Sequence, residues 1–234
     1  MYVVYRHAIK IMQRANNKRA WLNQTVAYYT CLTLCGQAQL FTRNHAFEAQ
    51  SLKAHHKKHY CGAMLTVLVI GKPSYEKVTD LCLIARAFGA SGIVFTSNDK
   101  KLAAKSQRFC RDVCDKWGGS FSVSFTSSWK DYIKSKRNYK TMYLTRYGIP
   151  IKQVEYALRT YKNMLIIVSF SEKIKELYNI ADFNISITSQ PHTTASSITA
   201  LLRTYYRDRE LSMHFENAKY KIIPEQHGIH IDKV

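Results

Sequence analysis

The stretch "NISITSQPHTTASSITALLRTYY", residues 184–206, reads as one strand handing over to one helix. Asn184 to Ile187 alternates with the two-residue period of a β-strand. Thr188-Ser189-Gln190-Pro191-His192 is a polar turn. Thr193 to Thr199 is small and rich in hydroxyls, and a helix-like apolar tail follows. Hydroxyl residues at a helix start cap the free N–H groups of its first turn. Small residues there also let a flat ligand approach those N–H groups. Both roles, capping and binding, are open to these residues on composition alone.

The same strand–helix alternation runs through the chain from Met64 onward. Strands are expected at Leu65–Ile70, Gly92–Thr96, Phe121–Phe125, Thr141–Leu144, Met164–Val168 and Phe183–Ile187. Several are near-continuous apolar runs, as strands buried on both faces are. Helices are expected at Glu76–Phe88, Asp99–Trp117, Ser128–Ser135, Ile151–Tyr161, Glu172–Ile180 and Thr193–Tyr206. Ser97-Asn98-Asp99 is an N-cap signal and Gly118-Gly119 a stop. This order predicts an α/β domain with a mainly parallel sheet and helices on both faces. Lys219–Ile223 and Gly228–Ile231 then form a C-terminal hairpin.

Residues 1–63 differ. They hold nine Lys/Arg against one acid, Glu48, with five of the nine histidines and three of the six cysteines. They read as a basic extension, disordered or upstream of the true start, preceding a domain over 64–234. Cys31, Cys35, His55, His56, His59 and Cys61 are the residue types of a zinc site, but "HHKKHYC" is not a recognised pairing, and no metal is expected. The chain of 234 residues carries a net charge of +19, which favours an anionic partner, nucleic acid first. No apolar run is long enough for a membrane span, and no signal peptide is recognisable. Scattered cysteines read as reduced thiols of a cytoplasmic protein. Cys110 and Cys114, four apart on one helix, read as packing residues. Neither GxGxxG nor GxxxxGK[ST] occurs, so a dinucleotide dehydrogenase or P-loop NTPase has no support.

In open parallel sheets ligands bind at the carboxyl ends of strands. Three loops meet that description: Thr145–Pro150, Ser169–Lys173 and Thr188–Ser196. Together with "ARAFGASGIVFT" (85–96), "DKKLA" and "WGGSF" (99–121), "YLTRYGIPI" (143–151), "YNIADFNISITSQPH" (178–192) and "AKYKIIP" (218–224), they carry a resemblance. The chain from about Leu65 to Val234 resembles the archaeal tRNA (cytidine-56) 2′-O-ribose methyltransferase family of the SPOUT superfamily. That resemblance implies a C-terminal trefoil knot, a homodimer, S-adenosylmethionine as methyl donor, and the T-loop of tRNA as substrate.

It also implies roles. Cofactor contacts fall on Leu144, Thr145, Tyr147, Gly148, Val168, Ser169, Glu172, Ile187, Gln190, His192 and Ser196. Arg86 is the residue expected to orient the ribose hydroxyl and stabilise its developing charge. The competing role for Arg86 is a cap or salt bridge on an amphipathic helix. Lys72, Lys130, Lys134, Lys136 and Arg137 are expected to hold tRNA phosphates, with Tyr132 or Tyr139 stacking on a base.

The family pattern is broken in three places. A Gly-Asn pair becomes Thr188-Ser189. A Gly becomes Ser169 in an ungapped alignment, which sets Ser171 at a Glu and Glu172 at a Lys; a one-residue shift restores Glu172-Lys173. The first motif, "GKPSYEKVTDLCLIARAFGA" (71–90), has lost most arginines, and Asp80 stands where a His is usual. These losses motivate the alternative, an inactive or weak RNA-binding relative.

Overall fold

The computed structural model describes residues 62–170 and 174–234. In chain order these form β1 (Met64–Ile70), α1 (Tyr75–Ala87), β2 (Gly92–Thr96), α2 (Lys100–Trp117), β3 (Ser122–Thr126), α3 (Trp129–Ser135) and β4 (Lys140–Pro150). There follow α4 (Ile151–Leu158), β5 (Asn163–Ser169), α5 (Lys175–Ile180), β6 (Phe183–Ser186), α6 (Thr194–Tyr206), a 3₁₀ turn (Arg209–Ser212), β7 (Tyr220–Ile223) and β8 (His230–Lys233). The zinc ligand types and the extension over 1–63 lie outside the described residues, apart from Gly62 and Ala63, as do Ser171, Glu172 and Lys173. Among the described residues no helix is long and apolar enough to cross a membrane.

The first six strands make one parallel sheet of order β3-β2-β1-β5-β4-β6. β1 and β5 are its centre, and their runs of buried residues follow from cover on both faces. On one face Leu68, Ile70, Val94, Tyr143, Leu165 and Ile167 pack with Ile133 of α3 and Leu177 of α5. On the other, α1 packs against α2 and α6, burying Val78, Leu81 and Ala85 with Ile198, Leu201 and Leu202. The chain builds outward from β1 through β2 to β3, then crosses to β4, and β5 fills the slot between β1 and β4. The order therefore reverses between β1 and β5, and the carboxyl edge at such a switch is where ligands bind.

The expected strands are all present. Two differences have physical reasons. β4 does not end at Leu144: it pairs with β6 there, loops out, and re-pairs as Ile149↔Ile185 and Pro150↔Ser186. Thr145 to Gly148 thus bulge from the ladder at its carboxyl edge. The hairpin pairs Tyr220↔Lys233 through Ile223↔His230, so β8 sits two residues later than expected.

Candidate active site: a carboxyl-edge cleft and a distant arginine

The bulge depends on Gly148. A Cβ there would lie 2.5 Å from Asn184 C and O and from Ile185 N, backbone atoms that cannot yield. Its near absence of side chain lets β4 cross close to β6, and the bulge then presents Thr145 and Arg146. Thr145 Oγ1 lies 2.9 Å from Tyr178 Oη, and Tyr178 stands edge-on to Tyr143 at 5.2 Å. The bulge is braced from below.

The adjoining β6–α6 loop is held by its own side chains. Thr188 Oγ1 accepts from Gln190 N at 3.3 Å. Thr193 caps α6: its Oγ1 accepts from Ser196 N at 3.2 Å and lies 2.8 Å from Ser196 Oγ. His192 Nδ1 is 2.7 Å from the Gln190 carbonyl oxygen. A carbonyl only accepts, so Nδ1 is the donor, which leaves Nε2 to face a ligand.

Between the bulge and this loop is a cleft lined by Tyr143, Leu144, Thr145 and Arg146, by Val168 and Ser169 at the end of β5, and by His192, Thr194 and Ser197. Five expected cofactor contacts meet here: Leu144, Thr145, Val168, Ser169 and His192. The others do not line it. Tyr147 is 68% exposed, Gly148 is turned against β6, Gln190 contributes its carbonyl to His192, Ser196 caps α6, and Ile187 is half-buried beside the loop. Glu172 lies outside the described residues. Tyr143, Arg146, Thr194 and Ser197 were not singled out, although Arg146 is inside "YLTRYGIPI" and Ser197 inside the small-residue run. The two substituted glycine positions carry no backbone strain. Neither Ser169 nor Thr188 has a positive φ, so neither needs a glycine backbone.

Arg86 is elsewhere. α1 runs back from the carboxyl edge to the amino edge, and Arg86 is in its last turn. It is therefore about a strand length, ~20 Å, from the cleft. It is 8% exposed. Its Nη2 donates to Trp117 O at 3.1 Å and Gly118 O at 2.5 Å, and its guanidinium stacks on Phe215 at 4.4 Å. The cation sits at the carboxyl end of α2, where the helix dipole favours it. Gly118, at φ +78°, packs against Glu216 O and Ala218 N at 2.6 and 2.8 Å from where a Cβ would be. Gly119 N donates to Glu216 O, and Trp117 packs at a tilt against Tyr220, ring centroids 6.3 Å apart. Three quoted motifs, "ARAFGA", "WGGSF" and "AKYKIIP", converge on this node. Arg86 is thus buried at the amino edge, away from the cleft of its own chain, with backbone carbonyls at a helix end as its partners in place of a carboxylate.

The expected RNA contacts divide. Lys72 sits at the carboxyl edge. Lys130 pairs with Glu176. Lys134, Lys136 and Arg137 line an open groove of about 510 Å³ at the amino edge, with Tyr139 and Lys140. The Lys136 ammonium lies 5.3 and 5.1 Å from the rings of Tyr132 and Tyr139, so both rings already carry a cation. Cys110 and Cys114 lie on α2 as expected, and burial, with Cys114 adding to it, pushes the Cys110 thiol up to about 12. At neutral pH that thiol is a packing group. Among the described residues no three His, Cys, Asp or Glu cluster as a metal site.

A family model described as tRNA ribose 2′-O-methyltransferase, aTrm56, matches residues 117–232. The tRNA (cytidine(56)-2′-O)-methyltransferase of Pyrococcus abyssi (strain GE5 / Orsay) is 35% identical over 172 residues, covering 70% of this chain and 85% of that protein. Its counterpart from Nitrosopumilus maritimus (strain SCM1) is 34% identical over 152 residues, covering 64% and 84%. Among solved structures, the A. aeolicus TrmH/SpoU tRNA modifying enzyme aligns with a TM-score of 0.49 at 15% identity, covering 69% of this chain and 86% of that one.

Proposed function

Because the chain belongs to the tRNA (cytidine(56)-2′-O)-methyltransferase family, we propose that it methylates the ribose 2′-hydroxyl of cytidine 56 in tRNA at its carboxyl-edge cleft. The observation that carries this reading is the meeting of the "YLTR" residues with His192 at the carboxyl edge, on the β5 side of the strand-order switch.

The cleft matches S-adenosylmethionine in its donor set, but at about 50 Å³ it holds only part of such a ligand as it stands. Leu144 and Val168 offer apolar surface to a flat base, while Thr145, Ser169 and Ser197 offer hydroxyls and His192 a ring nitrogen for ribose. Bound there, the cofactor supplies an electrophilic methyl group on a sulfonium. The residues themselves bind, orient and exclude water. Thr145, held by Tyr178, fixes the bulge, and the Gln190 carbonyl fixes the His192 ring. Arg146 adds positive potential where an alkoxide develops. Placement of the two reactants supplies the largest part of the rate.

The groove of Lys134, Lys136 and Arg137 holds tRNA phosphates away from the reacting base, and Lys130 adds little because Glu176 neutralises it. The active form is a cytoplasmic homodimer with a trefoil-knotted carboxyl-terminal half, the catalytic domain spanning 64–234 after a basic segment, 1–63. Light scattering on the purified chain tests the dimer.

The central test is calorimetric titration with S-adenosylmethionine, followed by methyl transfer to an unmodified tRNA transcript. One methyl group per tRNA is expected, with none transferred when nucleotide 56 is 2′-deoxycytidine. Tight tRNA binding without cofactor binding would leave the inactive RNA-binding reading.

A further inference from the structure

A second cleft opens on the carboxyl edge, across the switch from the first. It is about 610 Å³ and lies over the ends of β1, β2 and β3. Its neighbour lies over the ends of β4 and β5. Their floors are neighbouring strands: Ile70 of one lies opposite Ser169 of the other, and Phe170 N donates to Ile70 O at 3.0 Å. Their centres are separated by two to three strand spacings, ~12 Å, the scale of a nucleotide. A methyl acceptor must sit beside the methyl donor, and among the described residues this cleft adjoins the cofactor cleft along the sheet.

Its lining is that of a nucleotide seat. Lys72, exposed and without an ion pair among the described residues, stands on a loop fixed by Gly71 (φ +126°) and Pro73. Asn98 and Asp99 line the opposite wall. Asp99 Oδ1 accepts from Lys101 N and Leu102 N, both at 2.9 Å, to cap α2. Its Oδ2 has no hydrogen bond among the described residues. Deeper in, Thr96 Oγ1 is buried without a partner, an unmet polar group in the cleft floor.

Building on the methyltransferase reading above, we propose that this cleft seats the target nucleotide, with Lys72 on a flanking phosphate and Asp99 Oδ2 accepting from the exocyclic amine of cytosine. A carboxylate takes a hydrogen bond from the cytosine amine. Uracil presents a carbonyl oxygen at that place and is repelled. Asp99 is then a specificity residue that selects cytidine over uridine.

The test is fluorescence anisotropy of a labelled T-arm hairpin carrying C or U at the target position, using the full chain with S-adenosylhomocysteine present to prevent turnover. Wild type is expected to prefer C by about tenfold, one charged hydrogen bond. Asp99→Asn keeps the helix cap, since Asn caps as well as Asp, and brings C and U to near parity by weakening C. Lys72→Ala weakens both hairpins about fivefold and lowers the salt slope by roughly 0.7. Cofactor affinity, measured in parallel by calorimetry, is unchanged in both variants. Wild-type-like binding by both variants, or equal losses on C and U in Asp99→Asn, would overturn the proposal. Hairpin binding reads this seat even if wild type fails to bind S-adenosylmethionine, a failure that would instead sink the methyltransferase reading.

Discussion

The Arg86 node and the carboxyl-edge cleft sit at opposite ends of one sheet, and both draw on the quoted motifs. In the node the charge is buried, its Nη2 meets two carbonyls while its buried Nε meets none, its face meets Phe215, and glycines let the C-terminal segment close over it. In the cleft the polar groups stop at partial satisfaction: His192 keeps one nitrogen free, and the bulge leaves the ladder. A polar group whose partners are all internal holds the fold. A polar group braced on one side and open on the other is placed for a ligand.

The largest expected effect breaks this contrast if it fails. Arg86→Ala strips two buried carbonyls of a charged donor and removes a stacked ring partner, at a cost of about 3 kcal/mol. For a domain of this size that lowers Tm by roughly 6–12 °C. Calorimetry on the folded fraction should still find wild-type cofactor affinity. A variant with wild-type Tm that binds cofactor and tRNA yet transfers no methyl would return Arg86 to the chemistry.

Next comes Gly148→Ala, which forces a Cβ onto the β6 backbone. Overpacking of this kind costs about 2 kcal/mol. Because the strain is at the root of the bulge, Tm and S-adenosylmethionine affinity should fall together. Loss of one without the other would separate the bulge from the cleft.

The sequence showed the strands through the same physics that buries them: "LTVLVI" and "MLIIVS" are continuous because helices cover both faces. The switch in strand order was not legible, since parallel pairing between β1 and β5 joins segments about 100 residues apart and leaves no local pattern. His192 was legible as a polar residue in a turn before a helix. Arg86 was not, because its partners, Trp117 and Gly118, lie 31 and 32 residues away, and a buried arginine on backbone carbonyls has no sequence signature. The bulge was missed for a related reason: only the Cβ clearance at Gly148, a tertiary quantity, reveals it.

On the cleft side, His192→Ala should weaken S-adenosylmethionine about tenfold, one hydrogen bond and its packing, with Tm within a degree or two of wild type. The triple change of Lys134, Lys136 and Arg137 to Ala should leave cofactor affinity alone and cut the salt dependence of tRNA binding by about two in log–log slope. An unchanged slope would remove the amino-edge groove from the tRNA path.

The smallest effect separates two kinds of polar clamp on the same amino edge. Asp182 ties β6 to β4: its Oδ2 accepts from Thr141 N at 2.8 Å and Oγ1 at 2.7 Å, and its Oδ1 accepts from Lys140 at 3.0 Å. Partial burial pushes its carboxyl up, but the bonds from Thr141 and Lys140 outweigh this and hold it below the ordinary value. A lowered folded pKa means stabilisation that is complete above the unfolded value of about 3.9 and drains as pH falls through the folded one. Asp182→Asn should therefore cost about 1 kcal/mol at neutral pH, allowing for solvent exposure. Its melting curve should converge with wild type as the pH falls through the lowered folded value. The Arg86→Ala deficit should persist across the same range, because a guanidinium does not titrate there. If both deficits faded together in acid, the node would owe its stability to a carboxylate, and the contrast between a backbone-held charge and an acid-held strand pair would fail.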